Sequence, residues 1–124
     1  MEILNTNNAP AAIGPYSQGI ISGKTLYLSG QIPLDAKTGA IVGSSITDQA
    51  HQVLKNLSAV LWEAGSGMDK VVKTTCFLAD MQDFAPFNEV YAQYFTGKPA
   101  RSCVAVRTLP KNVLVEVECV AVVE

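Results

Sequence analysis

The sequence predicts a two-layer α+β sandwich, a mixed sheet with two helices on one face. Three observations point there. Short runs rich in Val and alternating in character recur near both ends of the chain, as strands do. Two longer segments, about 47–64 and about 84–95, carry apolar residues at helical spacing. The order is strands, helix, strand, helix, two strands, and two such helices can cover only one face of the sheet.

Residues 1–15 read as extended, because Pro10 and Gly14-Pro15 block a helix. Short strands follow at 16–22 and 25–29, joined by Gly23-Lys24 as a tight two-residue turn with Gly first. Residues 30–35 break the regularity, and Lys37-Thr-Gly39 reads as another turn. The first helix sets Ala50, Val53, Leu54, Leu57, Val60, Leu61 and Ala64 on one stripe. Ser45 or Thr47 can cap its start and Gly65 can end it. Residues 70–79 return to strand. The second helix has Asp83 as a candidate N-cap, Pro86 in its first turn and Gly97 just past its end. Its stripe is Phe84, Phe87, Val90, Tyr91, Tyr94 and Phe95.

The last quarter holds two Val-rich runs, 99–107 and 113–123, separated by Thr108-Leu-Pro-Lys-Asn112 with its turn residues Pro110 and Asn112. They are predicted to pair as a hairpin, with Thr108 opposite Val113. In that register one face collects Ser102, Val104, Val106, Val115, Val117, Cys119, Ala121 and Val123. The other collects Arg101, Cys103, Arg107, Glu116 and Glu118. The apolar face should lie under the helices. The charged face is left without a cover within the chain, which predicts a closed homo-oligomer.

Size and composition narrow the function classes. The 124 residues suit one domain, spanning 1–124. Apolar residues make up 48% and charged residues 16%, a small charge supply that fits a partly covered surface. A net charge of −2 gives no basic footprint and argues against nucleic acid as the main partner. No apolar stretch is long enough to span a membrane. The first residues carry neither a secretory signal nor an Arg-rich transit pattern. Cys76, Cys103 and Cys119 are odd in number and lack CxxC spacing, which fits a reducing, cytoplasmic setting. A mature mitochondrial form that has lost its leader fits as well.

Arg101 is the foremost candidate for chemistry, since its rigid fork grips a carboxylate with two hydrogen bonds. The residues alone leave an ordinary salt bridge open. Cys103, two residues along the strand and roughly 6.5–7 Å away, reads equally as a small buried hydrophobe. Glu116 and Glu118 could orient or deprotonate water beside a carboxylate site, or could form a solvated strand face. Tyr16 could offer its phenol to a ligand. His51 is the only histidine and has no Asp, Cys or His companion at motif spacing, so neither a Cys–His hydrolase nor a zinc site is expected. Gly65-Ser-Gly67 lacks the rest of a phosphate loop and reads as a helix stop. Asn56-Leu-Ser58 matches a glycosylation pattern but lies mid-helix.

Seven stretches, in order and over nearly the whole chain, carry a family resemblance. They are 8–18 (Asn-Ala-Pro-Ala-Ala-Ile-Gly-Pro-Tyr-Ser-Gln), 29–33, 72–75, 84–88, Pro99-Ala-Arg-Ser-Cys-Val104, 109–111 and Val115-Glu-Val-Glu118. The chain resembles the Rid family, the reactive-intermediate deaminases of the RidA type. The resemblance implies a chorismate-mutase-like fold and a homotrimer with three clefts between subunits. It implies cofactor-free hydrolysis of 2-imino acids and their enamine tautomers, of the 2-aminoacrylate and 2-aminocrotonate type, to 2-keto acids and ammonia. Carried over by position, the essential arginine is Arg101, the water-directing glutamate Glu116 and the pocket tyrosine Tyr16. Ser29, Gly30, Asn88 and Cys103 fall on the substrate-binding positions. One departure stands out: family members usually carry an aromatic residue before the Pro-Ala-Arg block and a longer loop ahead of it. Here Thr96-Gly-Lys98 is short and Lys98 takes that place. The competing reading is a trimer that binds a metabolite without turnover, or that acts through protein or RNA as some members do in translation inhibition and RNA cleavage.

Overall fold

The computed structural model describes residues 1–124. Strands β1 (Glu2–Leu4), β2 (Gly19–Ser22) and β3 (Thr25–Gln31) lead into helix α1 (Ile46–Glu63). Strand β4 (Val71–Leu78), helix α2 (Phe84–Tyr94), and strands β5 (Ala100–Ala105) and β6 (Val115–Val122) complete the order. The two helices thus fall within a residue or two of the predicted segments. Ser45 caps α1, its hydroxyl accepting from the Asp48 N–H at 3.1 Å. Gly65, at φ +76, ends that helix in the left-handed conformation that suits glycine. Asp83 holds the N-cap position of α2 but makes no side-chain cap; a short turn at Met81–Asp83 precedes it, capped by Asp80. Gly23, at φ +62, makes the tight turn between β2 and β3.

All six strands form one sheet in the order β1-β2-β3-β6-β4-β5. The predicted hairpin between the last two strands does not form. β5 instead runs parallel to β4 at the sheet edge, and β6 inserts antiparallel between β3 and β4. The physical reason lies in the connections. A strand–helix–strand passage, β4-α2-β5, naturally returns the chain parallel to its starting strand. The eight-residue β6 alternates apolar residues and finds two antiparallel neighbours at the sheet centre, which a hairpin partner at the edge would not supply.

That change of neighbour also changes which face β5 presents. Arg101 pairs with Thr74 and Cys103 with Cys76, while Thr74 pairs with Cys119 and Cys76 with Val117. Arg101 and Cys103 therefore share the helix-covered face with the core. Ser102 and Val104 lie on the other face, beside Glu118 and Glu116 through Thr75 and Phe77. For β6 the predicted partition is correct, with Val115, Val117, Cys119 and Ala121 buried. For β5 it is inverted.

The core fills the space between sheet and helices, with Leu26, Leu28, Val53, Leu54, Leu57, Val60, Leu61 and Phe87 among its members. Loops are tied to it by buried side-chain amides. Gln18 accepts from the Thr6 N–H and donates to the carbonyls of Thr6 and Pro10. Asn56 donates to the carbonyls of Ile32 and Leu34, so the would-be glycosylation asparagine is a buried loop anchor. Gln49 links the Gly43 carbonyl to the Leu114 N–H. The opposite sheet face has no helix over it. Pairing places Ile3, Ile20, Tyr27 and Val120 in one row there and Val104, Phe77 and Glu116 in another. Ile3, Tyr27 and Val104 are about half exposed.

Candidate functional site

Arg101 is held by α2 rather than by a carboxylate. Phe84, Asn88, Tyr91 and Phe95 recur at helical spacing, so one side of α2 aims all four at the β5 edge. The guanidinium carbon lies 4.6 Å from the Tyr91 ring centroid and 5.5 Å from that of Phe84. Such contacts favour a cation over an aromatic face. Nη1 donates to Asn88 Oδ1 at 2.7 Å, the one hydrogen bond the chain gives this side chain. The rest of the donor fork has no hydrogen-bond partner within the chain. Tyr91 is fixed in turn, its hydroxyl bonded to Thr74 Oγ1 at 2.7 Å. Arg101 and Asn88 open on a cavity of about 590 Å³, also lined by Tyr91, Thr96, Lys98 and Pro99.

Glu116 belongs to a second hollow, of about 330 Å³, lined by Tyr16, Ser29, Gly30, Ile32, Pro110 and Glu116. A β-bulge builds it. The β3–β6 register shifts between Leu28 and Gln31, putting both Ser29 and Gly30 opposite one residue of β6. After the bulge Gln31 is buried, where uninterrupted alternation would have turned it outward. Gly30 then lies so close to Glu116 that a Cβ there would collide with the carboxylate. Ser29 donates its hydroxyl to the Ser17 carbonyl at 2.6 Å and its N–H to the Gln18 carbonyl at 3.0 Å. These bonds hold the exposed Tyr16 over the hollow. Burial, and next the charge of Glu118, push the Glu116 carboxyl above its ordinary value.

Of the seven site residues expected from the sequence, Tyr16, Ser29, Gly30 and Glu116 come together, and so do Arg101 and Asn88. The two groups lie on opposite faces of the sheet, contrary to the predicted common face, because β5 is set by β4 and not by β6. Cys103 lies beside Arg101 on the helix side, half-buried, against the buried Cys76. Burial raises the Cys103 thiol more than the nearby Arg101 lowers it. His51 is taken by Tyr94, whose hydroxyl lies 2.9 Å from Nδ1. In the sequence Phe84 and Tyr91 read simply as part of the apolar stripe of the second helix. Their spacing with Asn88 and Phe95 is the signal that they form a bracket for a cation.

The fold and the two hollows define a small α+β domain with one uncovered sheet face and, at its edge, a guanidinium held by α2 with no carboxylate partner. The family model described as Endoribonuclease L-PSP matches residues 6–123, and the chain belongs to this family, whose members carry the RutC and Rid names. A RutC family protein of Pyrococcus horikoshii is 54% identical, over 97% of this chain and 96% of its own. The mouse 2-iminobutanoate/2-iminopropanoate deaminase is 47% identical, over 98% and 90%. Among solved structures, E. coli TdcF with bound serine superposes with a TM-score of 0.95 at 43% identity, covering 100% of both chains. No helix of this chain is long and apolar enough to cross a membrane.

Proposed function

We propose that the chain hydrolyses 2-imino acids and their enamine tautomers to 2-keto acids and ammonia, at clefts shared by adjacent copies in a homotrimer. The observation that carries this is the state of Arg101. It is a guanidinium pinned on two aromatic rings, with one amide partner, no carboxylate and a cavity in front of it. Such a group suits a carboxylate, which the planar fork grips with two parallel hydrogen bonds. The deaminase name of the mouse relative and the serine bound to TdcF support an amino-acid-like ligand.

Because Arg101 and Glu116 face opposite ways, a site using both needs Arg101 and Asn88 from one subunit and Tyr16, Ser29, Gly30 and Glu116 from its neighbour. The uncovered sheet face supplies the surface for that assembly. Arg101 then holds the substrate carboxylate with two charge-assisted hydrogen bonds. The enamine takes a proton from solvent at carbon and becomes the imine in its protonated, iminium form. Glu116 of the adjoining subunit takes a proton from water as its oxygen attacks the imine carbon. Glu116 gives that proton to the carbinolamine nitrogen; the C–N bond breaks as the hydroxyl loses its proton to solvent and becomes the keto group, and ammonia leaves. A carboxyl held above its ordinary value is suited to taking and giving a proton. No cofactor is needed, and Cys103, kept as a thiol, serves as a wall. An RNA-cleaving role would have to work with a net charge of −2.

The test couples a serine dehydratase, as a source of 2-aminoacrylate, to keto-acid detection. Wild type should accelerate keto-acid formation; Arg101→Ala and Glu116→Gln should each cut the acceleration by about 10²-fold or more. Mixed after co-refolding, the two inactive variants should regain about a quarter of wild-type activity, as random assembly of sites from two chains requires. No recovery would mean that Arg101 and Glu116 do not act together across an interface.

A further inference from the structure

We infer that the Arg101 cavity is built for a doubly anionic substrate, a 2-imino dicarboxylic acid, with Lys98 receiving the distal carboxylate. This rests on the imine-hydrolysis reading and specifies its substrate. Lys98 and Arg101 line one cavity of about 590 Å³, and none of its lining residues is acidic. Both cations border one hollow, so an anion with two carboxylates lying in it is attracted by both. One carboxylate satisfies the Arg101 fork and leaves the lysine charge unmatched; a second carboxylate completes the balance.

The backbone fixes where Lys98 stands. Phe95 closes α2, and the Lys98 N–H donates to the Phe95 carbonyl at 3.3 Å. Lys98 itself takes φ +54, a left-handed conformation disfavoured for a residue with a side chain. Gly97, next to it, would bear that conformation more easily and does not adopt it. Pro99 follows and sets the direction into β5, so Lys98 stays three residues from Arg101 at the same cavity mouth. Asn88 and Thr96 line the same hollow and can hydrogen-bond the polar part of a ligand. The reaction is unchanged: the imine carbon gains the water oxygen, and nitrogen departs as ammonia carrying the protons.

The experiment compares two imines made in situ by amino-acid oxidases, one from alanine and one from aspartate, in wild type, Lys98→Met and Lys98→Arg. Wild type should prefer the dicarboxylic imine. The dicarboxylate-to-monocarboxylate ratio of kcat/KM should fall about fivefold in Lys98→Met, through KM, as loss of one exposed charge contact allows. Lys98→Arg should keep the ratio, and added salt should reduce it in wild type. A ratio unchanged in Lys98→Met overturns the inference. If neither imine is accelerated, the hydrolysis reading fails, and calorimetric titration with oxaloacetate and pyruvate decides the inference separately. Weaker oxaloacetate binding in Lys98→Met, with pyruvate unaffected, supports it; equal change in both overturns it.

Discussion

Burial and the neighbouring Glu118 both raise the Glu116 carboxyl. The consequence for rate has a definite sign. Glu116 must be ionised to take the proton from water, so activity falls as pH drops through its raised pKa. In the proposed substrate complex the neighbouring subunit's guanidinium would be matched by the substrate carboxylate, which leaves burial as the dominant influence on Glu116. The acid limb of kcat should therefore lie above the usual glutamate range. Glu116→Gln should lose that limb and about 10²–10⁴-fold in kcat, the typical share of general acid–base help. Stability carries the opposite sign. The folded subunit keeps this proton to higher pH than the unfolded chain does. Stability therefore declines as pH rises from the unfolded pKa through the folded one, and stays lower above it. Thermal melts should find Glu116→Gln more stable than wild type above that interval and equal to it below. A wild-type kcat profile flat down to the ordinary glutamate pKa would contradict the assignment.

At the scale of elements, the hollow under Tyr16 depends on one buried amide. Gln18 bonds to Thr6 and Pro10 and so fixes the loop that delivers Tyr16 to the β3 bulge. Gln18→Ala strands a buried N–H and carbonyls, which should cost about 1–3 kcal/mol in denaturant unfolding. In kinetics it should raise KM more than it lowers kcat, because the loop positions ligand rather than proton. Local signals of this kind were only partly legible. Both helices, the Ser45 cap, the Gly65 stop and the Gly23 turn are set by neighbours in sequence and are therefore legible there. The bulge at Ser29-Gly30 leaves no local signal: the sequence ends the strand at Ser29 and breaks regularity from Gly30, whereas the strand continues to Gln31, since a bulge is defined by the strand across from it. The hairpin failed for the same reason. Pro110 and Asn112 mark a change of direction, but nothing local says that the chain travels from the sheet edge to its centre. Polarity then misled on β5. Arg101 was placed with the glutamates because it is charged, whereas α2 offers it aromatic faces and an amide on the core side.

For the molecule as a whole, the sheet has a helix-covered face and an uncovered one bearing Ile3, Ile20, Tyr27, Phe77, Val104 and Val120. A face of that character favours association, because apolar area leaving water contributes about 25 cal/mol per Å². Phe77 is a sharp probe, since it stands between Val104 and Glu116 and only half-buried, outside the core. Phe77→Glu adds a carboxylate beside Glu116 and should turn the proposed trimer into monomers that keep the native circular dichroism. Light scattering after size exclusion would report the mass. Those monomers should be inactive on 2-aminoacrylate although every chain retains Arg101, Asn88, Tyr16 and Glu116 unaltered, because no single chain can bring the guanidinium and the carboxylate to one substrate. Substituting the exposed Trp62 on the outer side of α1 with Glu adds the same charge away from the sheet, and should leave both mass and activity as they are. A fully active Phe77→Glu monomer would show that one chain suffices, and would break the link between the uncovered sheet face and the reaction.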